Sequence, residues 1–183
     1  LQYIADGIKI KSAEADAMYA GIVIDTNNFT NQTGVRTFEA AAFLRRNGAD
    51  VTRVRKLFRD DMQDYKARAA AISSAEIYRE AFSIGVCPSE GLPSPTIVCA
   101  QAANELLEIK GIKASVVMTE YHGLIYLSAR SIDEVNVQVM MEKLGGGGHR
   151  TIAGAQMQGV TVEEAKERLK DVIRQMMEEG EVS

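Results

Sequence analysis

The chain has 183 residues, 46% of them apolar and 25% charged, the make-up of a soluble globular chain long enough to bury one or two cores. Twenty-one Lys and Arg against twenty-five Asp and Glu leave a formal charge of −4. That balance argues against a long nucleic-acid backbone as an obligatory partner, because such binding runs on counterion release to a basic surface.

The sequence opens on an apolar segment, Leu1, Tyr3 and Ile4, with neither an initiator Met nor the basic head of a signal peptide, so it reads as cut from something longer. Ser12, followed by apolar or small residues at 15, 18, 19, 22 and 23, predicts an N-capped helix to about Ile24. The apolar run 17–24 falls far short of the ~20 residues a bilayer helix requires. Asp25-Thr26-Asn27-Asn28 breaks this helix. Thr37 predicts the cap of a second, 38–47, with Ala41, Phe43 and Leu44 on its apolar face and Gly48 at its end. Asp50 caps a third helix carrying Val51, Val54, Leu57 and Phe58, and Asp60-Asp61 opens a fourth through Tyr65 and Ile72 toward Ala75.

From residue 77 the pattern turns extended, with Phe82, Ile84 and Val86 alternating against Ser83 and Gly85. All three prolines fall in 88–95, where Ser94-Pro95 supplies the cap and first turn of a helix bearing Val98, Ala102, Ala103, Leu106 and Leu107, stopped by Gly111. The β-rich stretches 112–119 and 124–129, either side of His122-Gly123, predict a hairpin. Ser131-Ile132-Asp133-Glu134 reads as a capping box starting a helix over 132–144. The small-residue segment 153–159 predicts a strand closely approached by other backbone. A second capping box, from Thr161 to Glu164, begins a helix presenting Ala165, Leu169, Val172, Ile173 and Met176. The expected fold class is α/β, of the α+β kind, in two units: a helical 1–75 and a mixed-sheet 76–183.

The least ordinary feature is the run Gly145, Gly146, Gly147 and Gly148 before His149-Arg150. Glycine is costly in conformational entropy, and bare backbone N–H groups can approach an anion unhindered. The run is neither a Walker loop, which needs Lys-Ser or Lys-Thr after its last glycine, nor GxGxxG, whose third glycine is here Arg150. A helix terminus extended into a loop is the alternative. Arg130 and Ser131 stand at the end of a β-rich segment and the start of the expected helix, an anion-favouring position, or else Ser131 merely caps. Asp25 ends an apolar run and suits a metal-binding carboxylate, and equally a turn-initiating one. His122 belongs to a hairpin turn and is expected exposed and inert. Cys87 and Cys99 form no CxxC or Cys/His cluster, which excludes a disulfide framework and a zinc site and makes the reducing cytoplasm the expected compartment.

These residues carry a resemblance. The stretch 21–29, Gly-Ile-Val-Ile-Asp-Thr-Asn-Asn-Phe, with Thr33-Gly34-Val35-Arg36-Thr37-Phe38 and Arg45-Arg46-Asn47-Gly48-Ala49-Asp50, resembles the later part of a DHH-family phosphoesterase domain. Ser128-Ala129-Arg130-Ser131, Asn136-Val137-Gln138 and Leu144 through His149, with Ala153-Gly154-Ala155, resemble its DHH-associated C-terminal domain. Within the family the likeness is nearest to the GdpP-type cyclic-di-AMP phosphodiesterases, membrane proteins with PAS and degenerate GGDEF modules upstream. The resemblance implies a helical end of a DHH domain followed by a mixed-sheet associated domain, and a manganese-dependent phosphodiesterase acting on a cyclic dinucleotide or short oligonucleotide. It assigns Asp25 to the metal, and Arg130, Ser131, Asn136, Gly145, Gly146, Gly147, Gly148 and His149 to the nucleotide. The Asp-His-His triplet and earlier metal motifs are absent, so no catalytic residue is assigned and this piece alone is expected to be inactive. The parent is expected to be anchored at the cytoplasmic face of the membrane, this piece making no membrane contact, and a homodimer is open to it. The alternatives are an oligoribonuclease or RecJ-like exonuclease, and a non-catalytic nucleic-acid-binding module of the kind found in alanyl-tRNA synthetases.

Overall fold

The computed structural model describes residues 9–30 and 33–180; the apolar segment at Leu1, Tyr3 and Ile4 lies outside them. The chain divides into two compact units, Leu1–Asp60 and Asp61–Ser183. The division falls earlier in the chain than the expected 75/76, because the fourth helix buries Ala67 and Ala71 in a core of the second unit.

The first unit holds helices α1 (Ser12–Asp25), α2 (Val35–Arg46) and α3 (Val51–Leu57). Its core is small: Ala15, Leu44 and Ala49, with Ile10, Met18, Tyr19 and Ile22 packed against them. A polar staple supplements it. Buried Asp16 accepts hydrogen bonds from the Asp50 N–H at 2.7 Å and from Arg53 Nε at 2.6 Å, and Arg53 Nη2 also donates to the Gly48 carbonyl. A buried carboxylate is tolerable only when so partnered. Asp50 caps α3 as expected, accepting from the Thr52 and Arg53 N–H groups. The caps of α1 and α2 differ from expectation. Lys11, not Ser12, is the N-cap of α1, with its N–H donating to Glu14. Thr37 lies inside α2 and accepts from the Gly34 N–H.

The second unit begins with α4 (Met62–Ser73) and builds a six-stranded sheet in the order β1-β2-β3-β4-β6-β5. The strands are β1 (Glu76–Tyr78), β2 (Phe82–Val86), β3 (Ala114–Tyr121), β4 (Leu124–Ser131), β5 (Gly147–Gly148) and β6 (Ile152–Gln158). Only β2 and β3 run parallel, as the intervening α5 (Pro95–Leu106) permits. One sheet face packs on α6 (Val137–Glu142) and α7 (Val162–Glu178) through Ile84, Val116, Met118, Leu127, Met140, Leu169 and Ile173. The other packs on α4 and α5 through Val117, Val98, Cys99, Ala102 and Leu106. Central β2 is buried on both faces, which is why its alternation carries no exposed side. In β4 burial alternates strictly, and Tyr126, Ser128 and Arg130 share the face that carries α5.

The helix expected over 132–144 is shorter, Val137–Glu142. Ser131 is the last residue of β4, paired with Ala114, and its buried hydroxyl donates to the Val135 carbonyl at 2.6 Å. Asn136 caps the helix instead, its side chain accepting from the Gln138 and Val139 N–H groups. The capping box at Thr161 and Glu164 is present as read. Among the described residues no helix is long and apolar enough to cross a membrane.

Candidate functional site

Each of the four glycines answers to a different constraint. Gly145 follows the last turn of α6 with φ +80° and donates its N–H to the Glu142 carbonyl, while the Gly146 N–H donates to Met141; a left-handed residue here closes the helix. At Gly146 a Cβ would lie 2.1 Å from the Gly154 carbonyl oxygen and 2.6 Å from Ala155 Cα. At Gly148 it would lie 2.5 Å from Ala153 Cα. Both are glycine because β5 presses backbone to backbone on β6. Gly147 is under neither constraint: its φ is outside the left-handed region and a Cβ would meet nothing within 4 Å.

Gly145, Gly146 and Gly147 form one wall of a cleft of about 420 Å³. Its floor is Tyr126, Leu127 and Ser128 of β4 with Gly154, Ala155 and Gln156 of β6, and Thr96 from the first turn of α5 closes the far side. The register sets Tyr126 opposite Gln156, Ser128 opposite Gly154 and Arg130 opposite Ile152. Arg130 lies two residues from Ser128 on the same sheet face. Its Nε donates to Asn104 Oδ1 at 3.0 Å and its Nη1 to the Ala129 carbonyl at 2.8 Å. Among the described residues no carboxylate forms an ion pair with it, and burial holds its pKa below the ordinary guanidinium value. A half-shielded cation lacking an anion is the strongest electrostatic feature near the cleft.

The remaining expected residues are distributed differently. Ser131 points to the opposite sheet face and Asn136 caps α6, so the Ser131 hydroxyl and the Asn136 Oδ1 are committed locally. Gly148 and His149 lead into the turn between β5 and β6, where His149 and Ile152 exchange two backbone hydrogen bonds, of 2.7 and 3.2 Å. His149 is exposed there, and neighbouring Arg150 is tied to Asp133 at 2.7 Å. Of the expected residues, Gly145, Gly146 and Gly147 line the cleft, Arg130 stands two residues beyond its floor on the same sheet face, and Gly148, His149, Ser131 and Asn136 lie outside its lining. Thr96, Tyr126 and Gln156 went unassigned in the sequence. The signal for Tyr126 was available: over 124–131 polar Tyr126, Ser128 and Arg130 alternate with apolar Ile125, Leu127 and Ala129.

Both thiols lie buried. Cys99 Sγ donates to the Val117 carbonyl at 3.0 Å beneath this face, and burial pushes its pKa well up. Burial likewise pushes Cys87 up to about 11. Neither is a nucleophile near neutral pH.

In the first unit, Asp25 is the exposed final residue of α1. Behind it the chain turns through Asn27, Asn28 and Phe29 at φ 45°, 57° and 64°. Thr26 Oγ1 steadies the turn, donating to the Ile22 carbonyl and accepting from the Phe29 N–H. The Phe29 ring stacks on Phe38 with centroids 5.5 Å apart. Left-handed backbone is uncommon at a bulky residue and is held only by surrounding contacts. Among the described residues no group of three or more His, Cys, Asp or Glu is placed to hold a metal ion, so this donor set does not fit a metal pair by itself.

Residues 94–179 match the family model described as the DHHA1 domain. The chain is 43% identical over 181 residues to the cyclic-di-AMP phosphodiesterase GdpP of Geobacillus thermodenitrificans, taking in 98% of this chain and 27% of that protein. To the cyclic-di-AMP phosphodiesterase PdeA of Listeria monocytogenes it is 42% identical over 173 residues, 94% of this chain and 26% of that protein. The chain thus spans about a quarter of the length of these relatives. Among solved structures, an exopolyphosphatase-related protein from Bacteroides fragilis shares the fold with a TM-score of 0.80 at 20% identity, over 91% of this chain and 51% of that one. The chain thus carries a DHHA1 domain at residues 94–179 and is similar along nearly its whole length to cyclic-di-AMP phosphodiesterases.

Proposed function

We propose that this chain is the nucleotide-holding part of a phosphodiesterase that opens a cyclic dinucleotide, cyclic-di-AMP, to its linear form. The observation that carries the proposal is Gly147. The fold does not require a glycine there, yet it leaves bare backbone in a cleft with an uncompensated arginine two residues from the cleft floor. Bare backbone at Gly147 lets a phosphodiester approach the wall closely, and the guanidinium is suited to its non-bridging oxygens through hydrogen bonds strengthened by the ligand's charge. Such a donor, fixed before the substrate arrives, stabilises charge that grows on phosphorus oxygens during hydrolysis. The names of the relatives support cyclic-di-AMP as the substrate.

In this proposal the chain binds and orients, and the activation of water falls to groups beyond those described. Manganese belongs to the proposal for the whole protein, with Asp25 as the carboxylate this segment contributes. Gly148, His149, Ser131 and Asn136 act by shaping the loop and the strand end that border the cleft.

Calorimetric titration of the chain with cyclic-di-AMP in the presence of a chelator tests the proposal. Weak binding is expected, and Gly147→Val and Arg130→Gln should each weaken it about tenfold without lowering the melting temperature of the second unit. No binding by the wild type, or unchanged binding by both variants, overturns the reading.

A further inference from the structure

Three cleft residues, Thr96, Tyr126 and Gln156, have no role in the phosphate reading proposed above. Tyr126 and Gln156 are direct cross-strand partners on β4 and β6, which places their Cβ atoms about 5 Å apart. Next to Gln156 along the same sheet face is Gly154, where a Cβ would come within 2.9 Å of the Leu127 carbonyl oxygen. The floor beside the tyrosine ring is therefore flat. Tyr121 flanks the ring from β3 at a centroid distance of 6.4 Å and an interplanar angle of 55°, which restricts its orientation. Among the described residues, none lining the cleft is charged.

We propose that Tyr126 and Gln156 form a nucleobase subsite that selects adenine, with Thr96 as its outer wall. The proposal rests on the preceding one, since it places the base of the same nucleotide. An unstacked base is held by stacking on an aromatic ring and by hydrogen bonds to its edge. Tyr126 supplies the ring, and the uncharged lining suits a neutral base. The Gln156 amide offers one donor and one acceptor, the complement of the adenine N7 acceptor and N6 donor. Guanine presents two acceptors along the corresponding edge, N7 and O6, so one of them faces the amide oxygen. Along β4, Tyr126 lies about 7 Å from Ser128 and twice that from Arg130. That spacing leaves room for a sugar between a base on Tyr126 and a phosphate at the glycine wall.

The test is titration of the chain with AMP, GMP, CMP, UMP and ribose 5-phosphate, followed by NMR chemical shifts, with thermal melts to confirm that each variant is folded. AMP should bind several-fold tighter than GMP. Tyr126→Ala should weaken all four nucleotides about tenfold and leave ribose 5-phosphate unchanged, while Tyr126→Phe restores the affinity. Gln156→Arg should transfer the preference to GMP, because a guanidinium donates to both O6 and N7. Equal affinity for the four nucleotides, or nucleotide binding indifferent to Tyr126→Ala, overturns the base subsite; if ribose 5-phosphate still binds, the phosphate site survives. Failure of every compound to bind overturns both proposals.

Discussion

Gly146→Ala and Gly147→Ala place the same methyl group on adjacent residues, with opposite consequences. At 146 the new Cβ falls 2.1 Å from the Gly154 carbonyl oxygen and 2.6 Å from Ala155 Cα, against the ~3.5–4.0 Å of an ordinary carbon contact. The atoms it meets are backbone of β6, which is paired to β4 on its other side, so relief requires β5 to lift by more than an ångström. The cost is at the upper end of the ~1–3 kcal/mol typical of overpacking. Loosening the Gly146 N–H bond to Met141 adds about 1 kcal/mol. The sum, about 3–4 kcal/mol, corresponds to a fall in melting temperature on the order of 10–15 °C for a unit of this size. At 147 the methyl meets nothing within 4 Å, and restricting the unfolded chain favours the folded state by ~0.4–1 kcal/mol. Urea unfolding monitored by far-ultraviolet circular dichroism and by tyrosine absorbance separates the two. Equal midpoints for the two variants would refute the assignment of Gly146 to packing and Gly147 to binding.

Leu169, fully buried between α7 and the sheet, should cost about 2–5 kcal/mol when cut to Ala; a loss below ~0.5 kcal/mol in denaturant unfolding would contradict the packing. The Arg53 guanidinium, and then the Asp50 N–H, hold the Asp16 carboxyl below the ordinary carboxylate range. Stability from this group is therefore complete above the unfolded-state value near 4 and is lost as pH falls through the lower folded value. The stability difference between the wild type and Asp16→Asn should shrink below about pH 4, and an unchanged difference down to pH 2 would remove the ion pair from the account. Cys87 and Cys99, 2% and 0% exposed, should resist a water-soluble disulfide reagent at pH 8 and both react in 6 M guanidinium chloride. Rapid native labelling of either would show that its burial is transient.

The parts of this fold that were legible in the sequence are those governed by neighbours along the chain. Asp50, Asp61 and the Thr161 box cap helices where they were read to do so, and the hairpin turns at His122-Gly123. The caps are settled within four or five residues by hydrogen bonds a side chain makes to adjacent backbone, and the turn by two consecutive left-handed residues, at φ 51° and 74°. Ser131 carries the same local signature and fails, because a long-range bond to the sheet, its pairing with Ala114, claims it first. The helix then waits for the next competent cap, Asn136. The burial of β2 on both faces is equally invisible locally, since it depends on α4 and α5 covering one face of the sheet and the distant α6 and α7 covering the other.

The candidate site shows the same divide more sharply. Four consecutive glycines look equivalent in the sequence, and entropy makes each of them costly. Only the partner strand distinguishes them: one serves a helix end, two serve strand contact, and one is left over. The leftover residue is the informative one, because a constraint that packing does not impose has to be sought in what enters the cleft. The same logic brings Tyr126 forward. On β4 it occupies a position where burial alternates, half-covered, flanked by Tyr121 and diagonal to a bare Gly154, so part of the ring is left open toward the cleft. A glycine that packing does not need and a ring that packing covers only in part, on two walls of one cleft, are the observations on which the phosphate and base proposals stand.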